Sequence, residues 1–391
     1  MGNNSDLYAR WYGTRELLLH HRDPYSREVT REVQTGFYGR PLEPQNVSDP
    51  TAQEGFNYPL YAVFLVAPFA SLSFATALAI FRWLLISAAA CSVPLWMRAL
   101  GFHPRLPLVL AGMVLTAGAY PSVMEFYQQN LAALVIFLLA GAMASIARGW
   151  LALAGFLLAL STIKPEIAGL MVFWSVLWAA GQWRKRYALI ASFSATLAIL
   201  IVAAEITLPH WIGRFLAAVR DYQIQDVDLP ITEVLLPRFA GRVVTYGLIG
   251  LLTVLLWRWK GSEEGSDTFR LGIAWAAAVN LSVLPKLAAY NQLVLVPALI
   301  VLLGRWQDIL QGGLITRSLA KAALASQLWQ WIAALGLAVC SLAISPRLAR
   351  SAANAPLYTL LALPPLVLGA VALLTFSRRF APGNVPGPAQ R

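Results

Sequence analysis

Tyr187–Ala204 is a run of eighteen residues without one charged side chain. A segment that crosses the hydrocarbon core of a bilayer must satisfy every backbone N–H and C=O internally, and a helix needs about 20 apolar residues to do so. Similar runs recur at Phe74–Met97, Leu106–Ala119, Leu131–Ala147, Val243–Leu256, Leu271–Leu284, Leu293–Leu303, Ala322–Ile344 and Leu357–Phe376. Trp150–Ala180 is long enough for two short helices, broken at Lys164-Pro165, because proline lacks an N–H and disfavours helix at the residue before it. The pattern predicts an all-α, polytopic transmembrane bundle of about eleven spans. It excludes a soluble enzyme, a disordered chain and a disulfide-stapled secreted domain. Only 13% of the 391 residues are charged, against about 25% in soluble domains.

The net charge is +11, which would ordinarily invite a nucleic-acid partner. Here the basic residues stand between apolar runs, as membrane-flanking charges do, so no nucleic acid is expected. Cys91 and Cys340 both fall inside apolar stretches and read as small core residues. Basic clusters occur at Arg98–Arg105, Arg148, Arg184-Lys185-Arg186, Arg258–Lys260 with Arg270, Arg305–Lys321 and Arg378-Arg379. If each run is one crossing, all of them land on one side, which the positive-inside rule makes the cytoplasm. Segments 1–57, 120–130, the Lys164 break, 208–242, 284–292 and 345–355 then share the opposite, extracytoplasmic face. The expected organisation is an extracytoplasmic loop over 1–57, a transmembrane helical domain over 58–376 and a disordered cytoplasmic tail over 377–391. The protein is expected in the plasma or inner membrane.

Segment 1–57 is rich in Asp, Glu, Arg and Tyr, too long and polar for a simple connector. In segment 208–242, Trp211, Phe215, Ala218 and Tyr222 share one helical face. That fits a short helix lying in the membrane interface, or equally a connector with aromatic belt residues. Tyr58-Pro59 reads as the start of a short helix.

Ionisable groups at membrane depth are costly and mark function by default. Those expected on the outer face are Asp6, Arg10 and Arg22, Glu125 with Gln128-Gln129-Asn130, Lys164 with Glu166, and Lys286 with Tyr290-Asn291. A buried charge without a partner is too expensive to keep, so these groups are expected to converge on one polar cavity. Plainer readings stand beside this one. Asp6 is also read as a solvated terminal residue, Lys164 as a lysine snorkelling to the interface, Lys286 as a flanking charge, and Glu125 with Gln-Gln-Asn as a cap on Leu131–Ala147. His20 and His21 lack metal-ligand company, and neither a metal nor a cofactor is expected.

Three short stretches are more specific: Ser5-Asp6-Leu7-Tyr8, Arg15-Glu16-Leu17-Leu18 and Arg22-Asp23-Pro24-Tyr25. In this order they resemble the opening extracytoplasmic loop of family 87 glycosyltransferases, GT-C-type membrane enzymes that use polyprenyl-phosphate sugars and include mannosyltransferases. The resemblance continues through Phe56-Asn57-Tyr58-Pro59, Gln128-Gln129-Asn130, Lys164-Pro165-Glu166 and Leu284-Pro285 with Tyr290 and Pro297. It implies an inverting transfer of a sugar, a mannose-like hexose, from a polyprenyl-phosphate donor to a lipid or glycan acceptor on the outer face. It places the general base at Asp6. Lys164, Lys286, Arg10 and Arg22 are then the expected cations for the donor phosphate. Gln129, Asn130, Glu166, Tyr290 and Asn291 are expected to bind substrate through hydrogen bonds, while Tyr8, Tyr58 and Trp211 stack on sugar or prenyl groups. The family resemblance also implies a transmembrane helix ahead of the Asp loop. Met1 stands only five residues before Asp6, and a late-assigned start is the simplest expectation. The competing reading is a flippase for lipid-linked sugars or a small-solute transporter, which would hold its polar groups near the bilayer midplane.

Overall fold

Where the sequence reads apolar the chain is helical, and so is much of its polar start. A computed structural model describes residues 5–43, 46, 49, 54–225, 229–285, 288–311, 313–343 and 357–376. The tail 377–391, Lys286 and the segment 345–355 lie outside the described residues.

The first segment folds into two capped helices. In α1 (Asp6–His20) the Ser5 hydroxyl accepts from the Leu7 N–H at 3.2 Å, and His21 ends the helix in the left-handed region at φ 55°. In α2 (Arg27–Tyr38) Ser26 accepts from Val29 N–H at 3.2 Å, and Gly39 ends it at φ 84°. A serine before the first turn and a left-handed residue after the last are ordinary helix boundaries. Leu7, Leu17, Val29 and Val33 are buried, which seats both helices on the bundle. The short α3 (Ala62–Val66) runs into a 3₁₀ turn (Ala67–Phe69).

The bundle proper is α4 (Phe74–Ala99), α5 (Leu106–Gly118), α6 (Tyr120–Gln128), α7 (Ala132–Ile146), α8 (Leu151–Ser161), α9 (Pro165–Gly181) and α10 (Trp183–Thr207). It continues with α11 (Trp211–Gln225), α12 (Ile231–Leu235), α13 (Arg238–Trp259) and α14 (Asp267–Val283). A second 3₁₀ helix (Ala289–Leu295) then leads through α15 (Val296–Gly304), α16 (Trp306–Gln311) and α17 (Leu314–Ala343) to α18 (Leu357–Phe376). The core runs α4 on α7, α7 on α8, α8 on α10, and α14 between α9, α15 and α18. At Gly155 of α8 a Cβ would sit on the Leu189 carbonyl oxygen of α10, so these two backbones meet directly, as small residues permit in membrane bundles. Large apolar side chains face outward on α5 (Leu106, Leu108, Val114), α10 (Ile199, Val202, Ile206) and α13 (Phe239, Val254). Such a surface suits lipid, not water.

Three helices, α4, α10 and α13, are long and apolar enough to cross a bilayer alone, and α5 with α6, bent by 55°, adds one broken span. The described residues do not confirm eleven independent crossings. The reason is local: α7, α8, α9 and α15 are cut short by Gln129-Asn130, Lys164-Pro165 and the 3₁₀ turn. At 1.5 Å per residue α7 is about 22 Å long, less than the ~30 Å core. Cys91 differs too, being exposed on α4 instead of buried.

The two ends of the bundle are chemically unlike. At one end Arg186 lies 3.6 Å over Trp178 and donates to Trp178 O and Ser262 O at 2.8 and 2.7 Å. Arg270 lies against Gly101 there, and Arg305 pairs with Asp267. The basic residues of several connections thus gather where α4, α9 and α13 end and α10 and α14 begin. The opposite end of α9, about 25 Å away along its axis, carries Lys164.

Gly155→Leu should force α8 and α10 apart. Overpacking of this kind costs about 1–3 kcal/mol, so a lower melting temperature in detergent is expected, with Gly169→Leu, where a Cβ meets nothing, as the neutral control.

Candidate active site

The broken helices leave a polar recess, built from the backbone outward. α6 ends at Gln129, which stands in the left-handed region at φ 53°, a conformation costing roughly 1–2 kcal/mol for a residue with a Cβ. Its surroundings hold it there. The Gln129 carbonyl accepts from Arg10, and its side-chain oxygen accepts from the Ser5 hydroxyl at 2.6 Å. Its side-chain amide donates to Phe126 O. Beyond the turn, the Asn130 side-chain oxygen accepts from Leu131 N–H at 2.8 Å and Glu125 Oε1 from Ala133 N–H at 2.9 Å. The cap that the sequence suggested for this helix is therefore present, and it is made by residues that also face the recess.

α9 starts with Pro165 at its first position, where the missing N–H costs nothing, and Lys164 precedes it. Only 4% of Lys164 is exposed. Its ammonium donates to Asn130 Oδ1 and reaches Asn291 Oδ1 at 3.4 Å. It lies 4.7 Å from the Tyr290 ring centroid and 3.9 Å from Glu166 Oε1. On the other side of Asn130, its Nδ2 donates to Asp6 Oδ2 at 2.7 Å. Asp6 opens α1 and is half-buried. Arg10, one turn on and fully buried, donates to the Tyr58 hydroxyl and lies 4.8 Å from its ring centroid. Burial pushes the Tyr58 phenol far above its ordinary range, so it stays protonated, accepting from Arg10 with its own hydrogen left to give.

Nine residues expected at the site thus meet around one recess: Asp6, Arg10, Tyr58, Gln129, Asn130, Lys164, Glu166, Tyr290 and Asn291. Tyr8, Arg22 and Trp211 do not join them. Tyr8 points into an aromatic cluster with Trp11, Tyr12 and Phe74, where Gly36 lets its hydroxyl approach α2. Arg22 is engaged elsewhere, donating to Glu16 at 2.7 Å and in bidentate fashion to Glu32 at 2.8 and 2.9 Å. Lys286 lies outside the described residues. Trp211, expected to stack on substrate, is buried edge-to-face against Tyr61 with centroids 5.9 Å apart. Two participants had been missed or undervalued. Ser5 couples α1 to the Gln129 turn, a role legible only as an N-cap serine, and the fully buried Glu125 joins the shell beneath the site.

Beside Glu166 an open groove of about 270 Å³ lies between α9 and the end of α14. Pro165, Gly169, Leu170, Val283, Leu284 and Pro285 make it largely apolar. Asn280 donates from its Nδ2 to Ile167 O at 3.1 Å, and its buried Oδ1 has no protein partner. Among the described residues no group of three or more His, Cys, Asp or Glu could hold a metal ion.

The model of glycosyltransferase family 87 matches residues 56–285, a stretch holding Tyr58, Gln129, Asn130, Lys164 and Glu166. No curated protein and no solved structure is significantly similar.

The Arg22 cluster makes a pH prediction. Arg22 holds the Glu32 carboxyl below its ordinary range, while burial and the hydrogen bond to Glu32 push Tyr12 up to about 12. A carboxyl lowered in the folded state stabilises above its unfolded value and loses that contribution as pH falls through its folded value. Arg22→Gln should therefore melt a few degrees below wild type at pH 7, and the gap should close as pH falls below about 4.

Proposed function

Because the chain belongs to glycosyltransferase family 87, and is thus a sugar-transferring enzyme, we propose that it moves a hexose from a polyprenyl-phosphate donor to a hydroxyl of a lipid or glycan acceptor, with inversion. One observation carries this reading. A half-buried carboxylate, Asp6, and a buried ammonium, Lys164, flank a single side-chain amide. Two hydrogen bonds and one amide bound their separation at no more than roughly 8 Å. Groups this close can act on the two sides of one sugar ring, as an inverting transfer requires.

The step follows from this spacing. Asp6 accepts the proton of the acceptor hydroxyl as that oxygen bonds to the anomeric carbon. The bond from the anomeric carbon to the phosphate oxygen breaks on the other face, and its electron pair leaves with the phosphate. Charge grows there, and a fixed cation in a dry setting stabilises it. Lys164 fills that role, aided by the N-terminal ends of α7 and α9, whose dipoles favour an anion. The Tyr58 hydroxyl and Asn291 flank the space for the sugar. Arg10 contributes charge from behind, its terminal nitrogens being committed to Tyr58 and Gln129. The apolar groove beside Glu166 suits the prenyl chain of the donor. The gathering of basic residues at the far end of α9 and α14 supports an extracytoplasmic site in a cell membrane. A mannose-like hexose is the sugar implied by the family resemblance.

Asp6→Asn should lower transfer in proteoliposomes by at least ~100-fold, and full retention would remove Asp6 as base. Gly169→Trp fills the groove from a position where a Cβ meets nothing. It should raise KM for a long-chain prenyl donor several-fold while leaving a short-chain donor unaffected. Translocation of a lipid-linked sugar by the wild type, without any glycoside product, would defeat the transfer reading.

A further inference from the structure

We infer that Asn130 is a positioning residue whose amide keeps Asp6 and Lys164 out of direct contact, so that one remains a base and the other a phosphate clamp. The inference rests on the transfer reading above and assigns Asn130 a role other than sugar binding.

The valences of the amide support it. An asparagine oxygen has two lone pairs and its nitrogen two hydrogens. Here the oxygen accepts from the Lys164 ammonium and from Leu131 N–H at 2.8 Å, and the nitrogen donates to Asp6 Oδ2 at 2.7 Å. The reversed amide would set donor against donor at both Lys164 and Leu131, so its orientation is fixed. No acceptor is left for a sugar hydroxyl. What the amide does is join a carboxylate to an ammonium without letting them meet.

Something must do so. Opposite charges a few Å apart in a poorly solvated recess attract by several kcal/mol, and lysine is a flexible stem with a compact charge. Unopposed, Lys164 would close on Asp6. The carboxylate would then be engaged by the ammonium and the phosphate would lose its cation. The amide sits where this collapse would occur, and it is braced on every side. Glu125 holds the start of α7 through Ala133 N–H, and Arg10 holds the preceding carbonyl of Gln129. Lys164 is also held by Asn291 and by the Tyr290 ring. Among the described residues, the ionisable groups facing this arrangement are Asp6 and Arg10 from α1, Tyr38 from α2, Glu54, Tyr58, Glu125 from α6, Lys164 with Glu166 at α9, Tyr222 from α11 and Tyr290 from the 3₁₀ helix.

The test uses the full chain in lipid nanodiscs with a polyprenyl-phosphate hexose. Asn130→Ala should lower donor kcat/KM at least ~30-fold, and move the acid limb of the kcat/KM profile to lower pH, because the carboxylate is now paired directly. The isosteric Asn130→Asp should move that limb the opposite way, since two adjacent carboxylates share a proton. On a Lys164→Ala background, Asn130→Ala should cost little more, since the residue it restrains is gone. Additive losses with an unmoved acid limb would mark Asn130 as merely structural and overturn the inference. A structure of Asn130→Ala gives a readout independent of turnover. Lys164 Nζ within 4 Å of an Asp6 oxygen is expected, and an unchanged separation would overturn the inference. Wild-type inactivity with every prenyl donor would defeat the transfer reading alone, leaving this structural arm to decide the spacer.

Discussion

The structure depends on one costly act, the burial of the Lys164 ammonium. Removing a lone charge from water costs several kcal/mol even after relaxation, so such a group persists only where polar atoms receive it. The polar breaks in the bundle provide them. The turn between α6 and α7 brings Asn130, the 3₁₀ helix after α14 brings Tyr290 and Asn291, and the first turn of α9 brings Glu166. Each of these breaks shortens or interrupts a helix. A bundle of uninterrupted spans would be better hydrogen-bonded along its backbone, yet it would have nowhere to keep the charge. The short helices and the buried cation are two sides of one arrangement.

The same logic extends to the polar first segment. α1 is held by its own capping serine, but its placement relative to the bundle comes from a few long-range contacts: Ser5 and Arg10 on Gln129, Asp6 on Asn130, Trp11 on the Phe69 carbonyl at 3.0 Å. Arg22, with Glu16 and Glu32, then ties α1 to α2. Arg214 of α11 reaches Asp23, so a second outlying helix closes over the same segment. What reads in the sequence as a loose polar start is a lid of two helices fixed from three directions.

Much of this was legible in the residues. Apolar run lengths locate most of the bundle helices to within about five residues, although α17 begins eight residues ahead of its run, and the Lys164-Pro165 break falls where proline chemistry puts it. Side alternation alone brings Asp6, Asn130, Lys164 and Asn291 to one end. Other features were not legible, for identifiable reasons. Counting apolar runs cannot tell a full-length helix from one cut short at a buried polar break. Arg22 and Lys164 look alike as isolated cations, and only the folded chain shows that Arg22 faces Glu16 and Glu32 while Lys164 faces amides. Trp211 has the spacing of an interface residue, but the ring of Tyr61 covers it. Segment 1–57 has weak hydrophobic periodicity in α1, so its helices are announced by Ser5, Ser26 and Gly39 instead of by an apolar stripe.

The hydrogen bond from Asn130 to Asp6 also bears on how the protein is made. Asp6 is synthesised well before Asn291, which completes the surroundings of Lys164. At ordinary elongation rates the interval between them is on the order of half a minute. Through that time the first segment has helices but no finished surface to dock on. The site closes only after the later helices have taken their places, so a segment made before them has its chemistry assembled after them. A ribosome that stalls before Asn291 leaves a carboxylate with no opposing cation fixed in place, and hence no partly competent transferase in the membrane.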